Sequence, residues 1–169
     1  MSSERVFVVG SAAVDEQISV HGAVRVQLGG VVTYGGTTFV REGLQVTALC
    51  NLEAASGPAI TNALNRLGVE VCPGTSSSIT AFQNRLLADG GRRQEVLGIA
   101  DPIGAELVDA ALEGVEAPHV HLGPLHGSDI GGDALEVIAV RAVVVTMDVQ
   151  GFVRRGAVGP VFDEPTPLL

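Results

Sequence analysis

Short apolar runs that do not alternate punctuate this chain. Arg5 to Val9 (RVFVV) is closed by Gly10, and residues 142–147 (AVVVTM) are almost purely aliphatic. A run of that length with no polar face reads as a strand buried on both sides, as in the middle of a parallel sheet. Residues 45–49, 69–72 and 119–122 add further short strands. Between the strands the spacing predicts helices. Residues 57–67 carry Ile60, Ala63, Leu64 and Leu67 on one face, with Ser56 placed to cap and Gly68 to stop. Asp101-Pro102 opens a helix to about Leu112, with Ile103, Leu107 and Ala111 inward and Gly114 as the stop. Asp133 reads as the N-cap of a helix through Val140. Strands alternating with helices predict an α/β fold: a Rossmann-like, mostly parallel sheet with flanking helices.

Two stretches depart from that plan. Residues 16–28 alternate, with Ile18 and Val20 before a His21-Gly22 turn and Val24, Val26 and Leu28 after it. Residues 79–87 and 93–99 flank Ala88-Asp89-Gly90-Gly91. Both are hairpin patterns. Together they predict a small β-lid, about 16–28 and 79–99, over one end of the sheet. Residues 31–42 are ambiguous, because Val, Thr, Gly35 and Gly36 are poor helix formers, each Gly costing about 1 kcal/mol against Ala. Their place after a Gly-Gly pair and before Gly43 predicts a helix packed tightly on its neighbours.

The 169 residues, 46% of them hydrophobic, suffice for one domain with its own core. A formal net charge of −9 argues against a nucleic acid or an anionic membrane as partner. There is no Lys, which excludes a Walker A loop and Schiff-base catalysis. Cys50 and Cys72 lie among apolar neighbours. They are too few for a disulfide framework or a four-cysteine zinc site, and read as buried thiols of a reducing compartment. The first residues lack the apolar stretch of a signal peptide, and no run approaches the roughly 18 apolar residues of a membrane span. The expectation is a soluble, cytoplasmic α/β domain over residues 1–155, followed by a Pro/Gly-rich tail over 156–169.

Asp15 follows the first strand and the small residues Gly10 to Ala13. Ligands of open parallel sheets bind beyond the carboxyl ends of the strands. A carboxylate there accepts hydrogen bonds from sugar hydroxyls, although on position alone a loop Asp capping a turn is the simpler reading. Gly29-Gly30 alone is an ordinary turn signal. Asp15, the hairpin and Gly29-Gly30 in this order are more specific.

That set resembles the ribokinase-like family, the PfkB carbohydrate kinases. GSAAVD matches the family's G-x-x-x-x-D element, and LGGVVTYGGTTFVREGLQV matches its Gly-Gly and following helix. ITAFQNRLLADGGRRQEVLG is similar to the later lid strands. HLGPLHGSDI and VVVTMDVQGFVRR resemble the segments that carry the sheet toward the nucleotide half. The resemblance implies transfer of the γ-phosphate of ATP, with Mg²⁺, to a hydroxyl of a sugar or nucleoside. It implies that Asp15 binds substrate hydroxyls and that Gly29 and Gly30 form a hinge and backbone contact beneath the substrate. Asp148 and Gln150, just past a strand, line the site or serve its structure. The lid excludes water on closure and is a candidate homodimer contact.

The family's G-A-G-D motif has no counterpart in this sequence, nor has its ATP-binding region. In the family that Asp takes the proton of the acceptor hydroxyl, and the glycines bring helix amides to the phosphate. Gly131-Gly132-Asp133 lacks one glycine position and precedes the AVVVTM run. The expectation is therefore a C-terminally incomplete ribokinase-like domain with no catalytic residue in this chain and no activity alone. The alternative is a truncated, non-catalytic relative that binds a small polyol or a partner protein. An unrelated nucleotide-binding Rossmann domain is disfavoured, because no G-x-G-x-x-G follows the first strand. His119, His121 and His126 invite a zinc or nickel reading but lack an acid or Cys at ligand spacing, so no metal site is expected. Arg92-Arg93 reads as a solvated charge cluster beside Asp89 and Glu95, not as a phosphate clamp.

Overall fold

The computed structural model describes residues 4–154 and 157–161. Strand β1 (Arg5–Val9) lies at the centre of a five-stranded sheet. Its neighbours are β4 (Gln45–Glu53) and β8 (His119–Leu122), with β5 (Val69–Ser76) and β9 (Val144–Met147) at the edges. Every pairing in this sheet is parallel, with Val6 opposite both Val46 and His119. The alternation of β1 divides the core in two. Val6 and Val8 pack with Val32, Ile60 and Leu64 from helices α1 (Val31–Arg41) and α2 (Gly57–Arg66). Phe7 and Val9 pack with Val108 and Ile138 from α3 (Ala105–Ala111) and α4 (Gly132–Arg141). Such side chains stabilise the fold by about 1.5–3 kcal/mol each on burial.

The two hairpins form one second sheet. Strands β2 (Ala13–Ile18) and β3 (Val24–Gly29) pair antiparallel, as do β6 (Thr80–Leu86) and β7 (Arg92–Gly98). A parallel pairing of β2 with β6, Ala13 opposite Thr80, joins them. A fifth strand, β10 (Gly159–Pro160), pairs with β7, so part of the segment read as a tail belongs to the lid. Residues 156 and 162–169 of that tail lie outside the described residues.

Helix α1 forms against its own propensity because its glycines fit the sheet. A Cβ at Gly36 would come within 3.1 Å of Val69 Cγ2, so the bare backbone is what lets the helix lie close. Gly43, at φ 85°, ends it.

Four readings need correction. Residues 142–147 do not form a strongly buried strand: β9 is at the sheet edge, and Val144 and Met147 are 42% and 50% exposed. Among the described residues no strand pairs beyond it, so an aliphatic run alone does not establish burial. Ser56 does not cap α2 through its side chain; its hydroxyl donates to Glu53 Oε1 at 2.8 Å. The helix expected to open at Asp101 starts at Ala105, because the Asp101 carboxylate is held by the Ser77 amide at 2.7 Å.

Asp133 is the fourth. It lies inside the first turn of α4, and Gly131 holds the N-cap position. Its carboxylate instead accepts from Ala105 N of α3 at 3.0 Å, joining the starts of two helices. That bond, with the nearby amides of Ala134 and Asp133 itself, holds its pKa below the ordinary carboxylate value. Asp133→Ala is expected to lower the melting temperature and leave ligand affinity unchanged. Lost sugar binding at an unchanged melting temperature would contradict this.

Candidate functional site

A cavity of about 460 Å³ opens between the carboxyl end of the parallel sheet and the lid. Asp15, Gly30, Asp148 and Gln150 all line it. The geometry therefore brings together four of the five residues singled out in the sequence. The fifth, Gly29, lies directly behind Asp15.

Asp15 is not in a turn. It is the third residue of β2, opposite Gln27 of β3 and Phe82 of β6. Half-burial raises its pKa, and the charge of Arg92 partly offsets this. A Cβ at Gly29 would fall inside the Asp15 carboxylate, so glycine there makes room for the acid. Gly30, at φ 82°, turns the chain from β3 into α1, and a Cβ would overlap Ser11 O. Gly30→Ala is expected to destabilise by about 2 kcal/mol or more, from left-handed strain plus the collision. Chemical denaturation measures this, and an unchanged midpoint would contradict it.

Asp148 and Gln150 follow β9. Asp148 N donates to Leu122 O at 2.8 Å, fixing the chain to the end of β8. Asp148 Oδ1 accepts from Gln150 N at 2.9 Å and caps the short 3-10 helix Val149–Val153. One carboxylate oxygen thus has a structural partner, while the residue lines the cavity.

Several lining residues were not singled out as site residues. Tyr34 of α1 accepts from Gln27 Nε2 at 3.1 Å, tying helix to lid. Arg92 lines the cavity with Gln94, so it is not only a member of a solvated charge cluster. His121 lies on β8 with its Nδ1 2.9 Å from Thr146 Oγ1 and its ring edge-on to Phe39. Burial lowers its pKa, against the pull of Asp148, which favours a neutral imidazole. His119 instead faces Glu4 Oε1 at 3.3 Å, and His126 is buried beside Ser128. Among the described residues no three His, Cys, Asp or Glu side chains converge as a metal site would require.

Behind the cavity lies a buried polar network that sequence patterning did not reveal. Asp129 accepts from Ser11 Oγ at 2.5 Å, from Leu125 N at 2.8 Å and from Ser11 N at 3.3 Å. Ser11 Oγ also lies 3.0 Å from Thr80 Oγ1, which accepts from Ala100 N at 3.1 Å. The network binds the loop after β1, the loop after β8 and the root of the lid.

Among the described residues the cavity wall offers two carboxylates, Asp15 and Asp148, no Lys, and one glycine-led helix start, Gly30, so no residue there is assigned to ATP or Mg²⁺. No step is derived through either group.

No family model matches the sequence, and no curated protein matches it. Solved structures do. A sulfate complex of a pyrophosphate-dependent kinase in the ribokinase family is 25% identical, with a TM-score of 0.79 over 94% of this chain and 55% of its own. A pyrophosphate-dependent kinase in the ribokinase family, complexed with a pyrophosphate analog and myo-inositol, is 23% identical, with a TM-score of 0.78 over 94% of this chain and 54% of its own. The tetrameric inhibited form of phosphofructokinase-2 from Escherichia coli is 13% identical, with a TM-score of 0.65 over 86% of this chain and 54% of its own. The described chain, spanning about half the length of those structures, has the ribokinase-like fold of the PfkB carbohydrate kinases, with a mostly parallel sheet and a β-lid.

Proposed function

We propose that the cavity binds a polyol acceptor, a sugar, cyclitol or nucleoside, and that this chain is the acceptor-binding part of a ribokinase-type kinase. The position of Asp15 carries the reading: a half-buried carboxylate in the wall of a cavity beneath a lid. Hydrogen bonds from hydroxyls to an ionised carboxylate are among the stronger neutral-ligand contacts. Gly29 and Gly30 supply the turn that opens α1 toward the acceptor, and Asp148 and Gln150 close the opposite wall. The myo-inositol of one structural neighbour makes a cyclitol the first acceptor to test.

The donor reading widens. ATP with Mg²⁺ follows from the sequence resemblance, but two of the neighbours are pyrophosphate-dependent, so pyrophosphate stands beside it. In this reading the chain alone transfers no phosphoryl group: the cavity acids are Asp15, fitted to hydroxyl binding, and Asp148, which caps a 3-10 helix. Homodimer contact through the lid, and a reducing compartment such as the cytoplasm, belong to the same proposal. Cys50 and Cys72 are free thiols, and burial pushes Cys50 up to about 12. No helix of the described residues is long and apolar enough to cross a membrane.

Titration calorimetry with myo-inositol, ribose, fructose and adenosine tests the acceptor reading. Saturable binding of at least one is expected, together with no phosphorylated product from ATP or pyrophosphate. Failure of all four to bind would overturn the acceptor site, and product formation would overturn the expected inactivity.

A further inference from the structure

A second cavity, of about 570 Å³, adjoins the first and shares Asp15, Tyr34, Arg92 and Gln94 with it. Its floor is the site-facing side of the lid, and the strand register shows what that side carries. Gln17 stands opposite both Arg25 and Asn84, and Asn84 stands opposite Gln94. Partners in register point to the same face, so these four side chains form one row across four strands. The row nearer the sheet runs Gln27, Asp15, Phe82, Val96. The lid thus turns a carboxamide-rich face toward the site, beyond the point where a single acceptor ring meets Asp15.

From this we infer that the second cavity is an acceptor subsite for a neutral, hydroxyl-rich second ring joined to the ring held at Asp15. The inference rests on the acceptor reading above. Carboxamides both donate and accept, which matches hydroxyls; an anion needs donors only. Asn84 Oδ1 accepts from Gln94 Nε2 at 2.9 Å, which leaves the Asn84 NH₂ as a donor end and the Gln94 carbonyl as an acceptor end. Of the two cations in its lining, Arg25 and Arg92, the latter acts on the Asp15 carboxylate, which leaves Arg25 alone and no pair to clamp an anion. Leu86, two residues beyond Asn84 on the same face, gives the far end an apolar surface for the C–H face of a ring. The Tyr34–Gln27 hydrogen bond stands at the junction of the two cavities.

The test compares myo-inositol, galactosyl-myo-inositol and myo-inositol monophosphate by calorimetry and by NMR of backbone and side-chain amides. The galactosyl compound is expected to bind at least tenfold more tightly than myo-inositol and to shift the Gln17 and Asn84 side-chain amides. In the double variant Gln17→Ala, Asn84→Ala the ratio of the two affinities should fall to about one. Responses confined to Asp15 and Gly30 would overturn the second subsite and leave the acceptor reading standing. A gain for the monophosphate and none for the galactosyl compound would overturn the neutral-ring assignment. No response to any of the three would overturn the second subsite together with the cyclitol as acceptor, and leave the acceptor reading to ribose, fructose and adenosine.

Discussion

Asp15→Asn is expected to weaken acceptor binding by roughly tenfold to a hundredfold while raising the melting temperature at neutral pH. The affinity change follows from exchanging charge-assisted hydrogen bonds for neutral ones, at about 1.5–3 kcal/mol for a bond to a charged group. The stability change follows from burial. The folded protein raises the pKa of Asp15 above its ordinary value of 3.8, so it binds that proton more tightly than the unfolded chain does. The favourable contribution is complete below 3.8 and is lost as pH rises through the higher folded value. At neutral pH the ionised, half-desolvated group opposes folding, and an amide in its place does not. The melting-temperature difference between variant and native protein should therefore be largest near neutrality and shrink below about pH 4. Native affinity in the variant, or a lower melting temperature at neutral pH, would contradict the assignment.

Asp129→Ala is expected to be the most damaging polar substitution in the chain, costing about 3–5 kcal/mol. The carboxylate is 1% exposed and takes three hydrogen bonds from Ser11 and Leu125. Its removal strands two backbone N–H groups and the Ser11 hydroxyl around a void, at about 1–3 kcal/mol for each unsatisfied buried group. For a chain of 169 residues this corresponds to a fall of about 10 °C in melting temperature. Because Ser11 also meets Thr80 at the root of the lid, hydrogen exchange in β6 should quicken. A variant that melts within a few degrees of the native protein would show that the network does not hold the loops together.

The lid hairpins were legible in the sequence because their signals are local. Asp89 Oδ1 accepts from Gly91 N at 2.8 Å beside a positive-φ Gly90, as an Asp-Gly turn requires. The central strand and His119–Leu122 were read to the residue, since a strand closed by glycine or capped by Gly-Pro has sharp ends. The Asp15 neighbourhood was legible as an ordered set and not as a geometry: its place within β2 appears only when β3 and β6 pair on either side. Asp129 and Arg92 acquire their roles through contacts distant in sequence. Ser11 and Asp129 are 118 residues apart, and no periodicity links them. β9 shows the converse: its composition is that of a buried strand, and its position at the sheet edge decides its exposure.

The parallel pairing of β2 with β6 also bears on the order in which the molecule assembles. Glu16 and Gln83, hydrogen-bonded across that pairing, are separated by 67 positions, and the intervening chain contains β4 and β5 of the main sheet with helices α1 and α2. Contacts of such long range carry a loop-closure cost that local hairpins do not, and they slow folding. The hairpins are local in sequence, whereas their joining requires closure of the loop between residues 13 and 80 and is expected to come later. Substitutions in β2 and in β6 should therefore perturb one and the same late kinetic phase, in which the cavity beneath the lid takes shape.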